Sequence, residues 1–142
     1  MPRLFFFAKA QNQFTGTPVY VSEETPTEPC KVMELSVSNA DYANFRHSKT
    51  NGTALYIGRC WKPQGVMTGL FHTQKDAISA VLRRARQWRR NAPSKDDMLE
   101  YAKQVMARPD EAVSLSQTRG YTVPNTTALD DEFITVMRVR PV

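Results

Sequence analysis

Few side chains in this sequence have chemistry to offer: two histidines, two cysteines and a run of arginines. The run reads Arg83, Arg84, Ala85, Arg86, Gln87, Trp88, Arg89, Arg90, five arginines in eight residues. A guanidinium stays charged and presents a planar fork that matches phosphate or carboxylate oxygens in pairs. Cations at a helix C-terminus gain about 0.3–1 kcal/mol each from the dipole. Like charges three or four residues apart, such as Arg83–Arg86 and Arg86–Arg90, repel by a few tenths of a kcal/mol each. Dipole complementarity therefore does not require five arginines here, whereas an anionic partner would relieve their repulsion.

The signals for catalysis are weaker. Cys60 and His72 fall on neighbouring predicted strands and would make a nucleophile and base if they met. No flanking motif supports that pairing, and a buried strand cysteine is usually inert. Neither His47-Ser48-Lys49 nor His72-Thr73-Gln74 carries the hydroxyl residue two positions on that two-histidine phosphoesterases require. Metal ligation needs more His, Cys or clustered carboxylate than the chain offers. Asp130-Asp131-Glu132 are consecutive and read as a solvated loop before a strand. There is no glycine-rich phosphate loop of the Walker or dinucleotide type. No catalytic residue, metal site or cofactor is assigned, and binding is favoured over enzymatic activity.

The elements that position the arginines follow from periodicity. Thr73 caps a helix, with Asp76 in its first turn. Ala77, Ile78, Val81, Leu82, Ala85 and Trp88 then recur at spacings of three and four and share one face. Arg83, Arg86 and Arg90 fall on the opposite face, and Arg84 and Arg89 flank the apolar stripe. Trp88 therefore belongs to the core. Before this helix, Ala54–Trp61 and Val66–His72 read as two strands about the turn Lys62-Pro63-Gln64-Gly65, with Leu55, Ile57, Arg59 and Trp61 on one face. After it, Asn91-Ala92-Pro93 ends the helix and Ser94 caps a second, stopped by Pro109. Phe5, Phe6 and Phe7 lie in a strand, Leu4–Ala8, buried on both faces and central in a sheet. Pro18–Ser22, Val32–Val37 and Glu132–Val139 are further strands. Asn39–Phe45 is one or two helical turns capped by Asn39, and Asn51-Gly52 marks a turn. The expected fold is α+β. It is a single domain with a mainly antiparallel sheet of about five to six strands, packed against the central basic helix and a second helix.

The pattern strand, turn, strand, then Gly69-x-Phe71-x-Thr73-x-x-Asp76-Ala77 covers under a quarter of the chain. It resembles the ending of small sheet-then-helix nucleic-acid modules, including the arm-type DNA-binding domain of phage integrases and the hybrid-binding module of ribonuclease H enzymes. The same residues also have structural roles, because Thr73 and Asp76 cap, Phe71 packs in the core and Ala77 permits close approach.

A length of 142 residues and ordinary apolar content suit one domain with its own core. The net charge of +5 favours acidic partners. Acidic clusters at Glu23–Glu24, Asp96–Asp97–Glu100 and Asp130–Glu132 leave the positive field concentrated on the central helix. Cys30 and Cys60 make no disulfide framework and are expected as free thiols in a cytoplasmic protein. The apolar run near the N-terminus is too short for a signal peptide or a membrane span. The sequence thus predicts a non-enzymatic protein whose basic helix engages nucleic acid, with an acidic protein surface as the alternative partner. The site residues are Arg83, Arg84, Arg86, Arg89 and Arg90, extended by Arg59, Lys62 and a stacking Trp61, and by Arg138 and Arg140 if their strand lies nearby.

Overall fold

The computed structural model describes residues 2–8, 18–62, 65–87, 92–109, 113–115 and 134–142, with backbone alone for 61, 62, 65–68 and 114. Strand β1 (Arg3–Ala8) is flanked by β2 (Val19–Ser22) and β3 (Lys31–Ser36), both antiparallel to it. Helix α1 (Asn39–Asn51) follows. The hairpin of β4 (Leu55–Lys62) and β5 (Gly65–Phe71) leads into α2 (Gln74–Ala85), then α3 (Lys95–Ala107). A short β6 (Val113–Ser114) and the last strand β7 (Ile134–Pro141) complete the described elements. The sheet runs β3-β1-β2-β7-β4-β5, and β6 also pairs with β7. All described pairings are antiparallel except β2 with β7. The α+β class and the mainly antiparallel sheet agree with the sequence reading.

Side chains alternate across a strand, so each strand contributes to both faces. One face gathers Leu4, Phe6, Val19, Val21, Leu55, Ile57, Leu70, Met137 and Val139 around Phe45 of α1. That cluster draws on both halves of the sheet, which curls around it. The opposite, convex face packs Cys60, Ile134 and Val136 against Ala77, Ile78, Val81 and Ala85 of α2 and Tyr101 and Val105 of α3. Gly58 makes the approach of α2 possible. A Cβ there would stand 2.9 Å from Val81 Cγ1 and 3.3 Å from Phe71 Cε2.

Helix α1 is longer than the sequence suggested, and its cap is Ser38 rather than Asn39. The Ser38 Oγ accepts the Asp41 N–H at 3.1 Å. Gly52, at φ 69°, ends the helix in the left-handed region, so Asn51-Gly52 is a helix terminus rather than a hairpin turn. Few apolar side chains hold α1. Instead, Asp41 Oδ1 accepts the Leu70 N–H at 3.1 Å and the Asn44 Nδ2 donates to the Leu70 carbonyl at 2.8 Å. Among the described strands β5 is outermost, and these two side chains satisfy the Leu70 backbone groups on that side. The capping residues expected for α2 and α3 are the ones observed: Thr73 accepts from the Asp76 N–H, and Ser94 and Asp97 form a capping box.

Candidate anion-binding surface

Helix α2 runs over the convex face from its capped start, just after Phe71, along β4. Phe71 pairs with Tyr56, and Gly58, one pleat further, lies beneath Ala77 and Val81. This path carries Arg83, Arg84 and Arg86 to the far end of the helix. Val81 and Ala85 are buried, Leu82 is half-buried rather than fully buried, and Arg83 and Arg86 are exposed. Arg84 is half-buried. The helix ends at Ala85, short of the expected Asn91. Its last turn tightens, with the Gln87 N–H donating to the Arg84 carbonyl at 3.0 Å. Trp88, Arg89 and Arg90 lie outside the described residues.

The other expected contributors separate. Arg59 shares its face with Leu55 and Ile57 and is only 8 % exposed. Helix α2 covers the opposite face at Gly58, so Arg59 points away from it and does not extend an exposed basic surface. The alternation on β4 was legible, but which face receives α2 was not. Trp61 and Lys62 pair through their backbones with Val66 and Gly65, and their side chains lie outside the described set. Arg138 pairs with Tyr56, in line with Phe71, and so sits at the N-terminal end of α2. Arg83 and Arg86 stand nearly a helix length away, about 18 Å for 12 residues. Arg138 and Arg140 therefore form a second basic region.

That second region has company which the sequence reading missed. On β7, Ile134 and Val136 face α2, so Arg138 and Arg140 continue the same convex face. On β1 and β2, Leu4, Phe6, Val19 and Val21 face the concave core, leaving Phe5, Phe7 and Tyr20 on the convex side. The register aligns Val32, Phe7, Tyr20 and Arg140 in one row across four strands. Phe7 and Tyr20 stack with ring centroids 5.6 Å apart and planes 27° from parallel. The helices described here pack on β4, β5, β6 and β7 of this face and leave the β3-β1-β2 part uncovered by a helix. The alternation of Val19, Tyr20 and Val21 was the readable signal, but only the strand order shows that Tyr20 meets Arg140.

The histidines and cysteines also depart from the simplest pairing. His72 Nδ1 lies 3.4 Å from the Ala54 carbonyl, at the opposite end of β4 from the buried Cys60, so no Cys60–His72 nucleophile and base assemble. His72 instead meets His47, with ring centroids 5.2 Å apart and a 66° interplanar angle. Cys30 and Cys60 are free thiols, as expected. Among the described residues no group of three or more His, Cys, Asp or Glu could hold a metal ion. None of the described helices is long and apolar enough to cross a membrane.

Two arginines elsewhere are already engaged. Arg3 pairs with Glu34 at 3.0 Å. Arg46 of α1 pairs with Glu23 at 3.1 Å, and the Tyr42 hydroxyl donates to the same carboxylate. The hydrogen bond from Tyr42, helped by Arg46, holds the Glu23 carboxyl below the usual glutamate range. The same bond pushes the Tyr42 hydroxyl up. No family model, curated protein or solved structure matches this chain.

Proposed function

We propose that this chain is a non-enzymatic binding protein that engages nucleic acid through the arginines at the C-terminal end of α2. The observation carrying this reading is the state of Arg83 and Arg86. Both are exposed, on the helix face away from Ala77, Ile78 and Val81, and neither has an ion-pair partner among the described residues. In a chain of net charge +5 they offer donors to an anion without first breaking an ion pair to any described residue. Phosphate contacts of this kind position a nucleic acid without reading its sequence.

An acidic protein surface is the alternative. It draws on Leu99 and Met106 of α3, exposed by 61 % and 64 % and seven residues apart on one helix face. Such a stripe beside α2 would supply the apolar contact that protein interfaces use at their centres.

Replacing Arg83 and Arg86 with Gln tests the reading. Gln keeps good helix propensity, so the melting transition should stay nearly intact. Binding to labelled oligonucleotides should weaken for every sequence. The slope of log K against log salt should become shallower by about 0.7–0.9 for each phosphate that the variant no longer neutralises. Wild-type protein that binds no oligonucleotide at physiological salt, but captures an acidic protein that the variant releases, would support the alternative instead.

A further inference from the structure

The convex face beyond α2 has a composition that the arginine helix does not explain. Phe5 and Tyr20 are half-exposed in the middle of a strand surface, while Phe7 is nearly buried and stacks beside Tyr20 on the neighbouring strand. Arg140 follows Tyr20 in the same row and is half-exposed, and Arg138, two residues back, is exposed. On the far side Glu34, opposite Phe5, is paired with Arg3, so its carboxylate is compensated by a cation. The face therefore combines flat π surfaces with two arginines along one margin.

We propose that this face is a stacking platform for single-stranded nucleic acid. The proposal rests on the nucleic-acid reading above and adds to it where the bases go. Tyr20 and Phe5 present ring faces to unpaired bases, and Phe7 holds the Tyr20 ring in place from beside it. Arg138 and Arg140 reach the phosphates of the same strand. Duplex bases are already stacked on one another and cannot reach a sheet surface, whereas splayed bases stack on aromatic side chains whatever their identity. The arginines at the far end of α2 lie within the span of the about 4–16 nucleotides that strand-binding surfaces of this kind cover. One strand could therefore use both regions.

Fluorescence anisotropy with labelled oligo-dT and oligo-U of about twelve nucleotides, beside a duplex of the same length, tests the proposal. The wild-type protein should bind the single strands about tenfold more tightly than the duplex. Tyr20→Leu and Phe5→Leu keep apolar bulk and should each weaken single-strand binding by about tenfold. Both should leave the duplex affinity and the salt slope unchanged. Tyr20→Trp, which keeps a stacking face in the same place, should bind at least as well as wild type, so the test survives a Leu variant that fails to fold. Arg140→Gln should instead make the salt slope shallower, by about 0.7. A folded Tyr20→Leu protein with undiminished single-strand binding would overturn the platform. If the Arg83 and Arg86 variants still weakened both nucleic acids, the α2 reading would stand alone. A wild-type preference for duplex would also overturn the platform. Loss of an acidic peptide, rather than an oligonucleotide, from Tyr20→Leu would reassign the face to a protein partner. Wild-type protein that bound no oligonucleotide would remove both proposals together.

Discussion

Two helices of nearly equal length lie on opposite faces of one sheet and treat their arginines in opposite ways. On the concave side, α1 buries little beyond Phe45 and Ser48 and is tied down by polar side chains. Asp41 and Asn44 grip the backbone of Leu70, and Tyr42 and Arg46 converge on Glu23. On the convex side, α2 is held by an apolar stripe that lies close to the sheet over Gly58. Arg83 and Arg86 stand apart from that packing and point outward. Availability, rather than number, therefore marks a charge as a candidate for binding. Arg46 belongs to the fold, whereas Arg83 and Arg86 are exposed and have no ion-pair partner among the described residues.

The largest expected effect tests the anchorage of α1. Phe45 is fully buried and is that helix's main apolar link to the core. Phe45→Ala should cost about 3–5 kcal/mol in denaturant unfolding. A loss below about 1 kcal/mol would mean that the polar interactions alone secure the helix. The matching change beneath α2 is Gly58→Ala. The added methyl meets Val81 and Phe71 closer than van der Waals separation, so overpacking should cost about 1–3 kcal/mol. If this variant melts like wild type, α2 has room to lift and the close approach is not essential.

A smaller effect separates the helices by pH. The folded-state pKa of Glu23 is lowered, chiefly by the Tyr42 hydrogen bond. Its contribution is therefore fully present above the unfolded-state pKa, near the ordinary value of 4.5, and is lost as pH falls through the folded-state value. Tyr42→Phe should lower stability at neutral pH, and its difference from wild type should shrink on acidification below that range. A difference that stays constant across that acidification would show that the hydroxyl acts through packing rather than through the carboxylate. The smallest effects concern the arginines themselves. Arg46→Gln removes an exposed ion pair that solvent screens, so its melt should move only slightly, and Arg83→Gln should stay within about 0.5 kcal/mol of wild type. A clearly destabilised Arg83→Gln would break the contrast, because that side chain would then serve the fold.

Local elements were legible in the chain before any fold was known. Hydroxyl caps at Thr73 and Ser94, each with a carboxylate three residues on, set two helix starts, because they satisfy backbone N–H groups that no other part of a helix can. The 3.6-residue spacing placed Val81 and Ala85 inward and Arg83 and Arg86 outward. Period-two alternation separated Val19 and Val21 from Tyr20. These are short-range relations, so the residues involved carry them wherever the element ends up. Which faces are covered was settled only by the assembled sheet. Strand alternation says that Arg59 is opposite Gly58, but not that α2 lands on the Gly58 side and leaves Arg59 in the interior. Nor does it say that the last strand enters parallel to β2, which brings Arg140 beside Tyr20 from far along the chain. Likewise α1 is secured despite its weak apolar pattern because Asp41 and Asn44 reach the Leu70 backbone, a partner that exists only once β5 lies outermost among the described strands. Long-range pairing and the choice of covered face depend on packing and edge satisfaction over the whole sheet, and no local spacing encodes them.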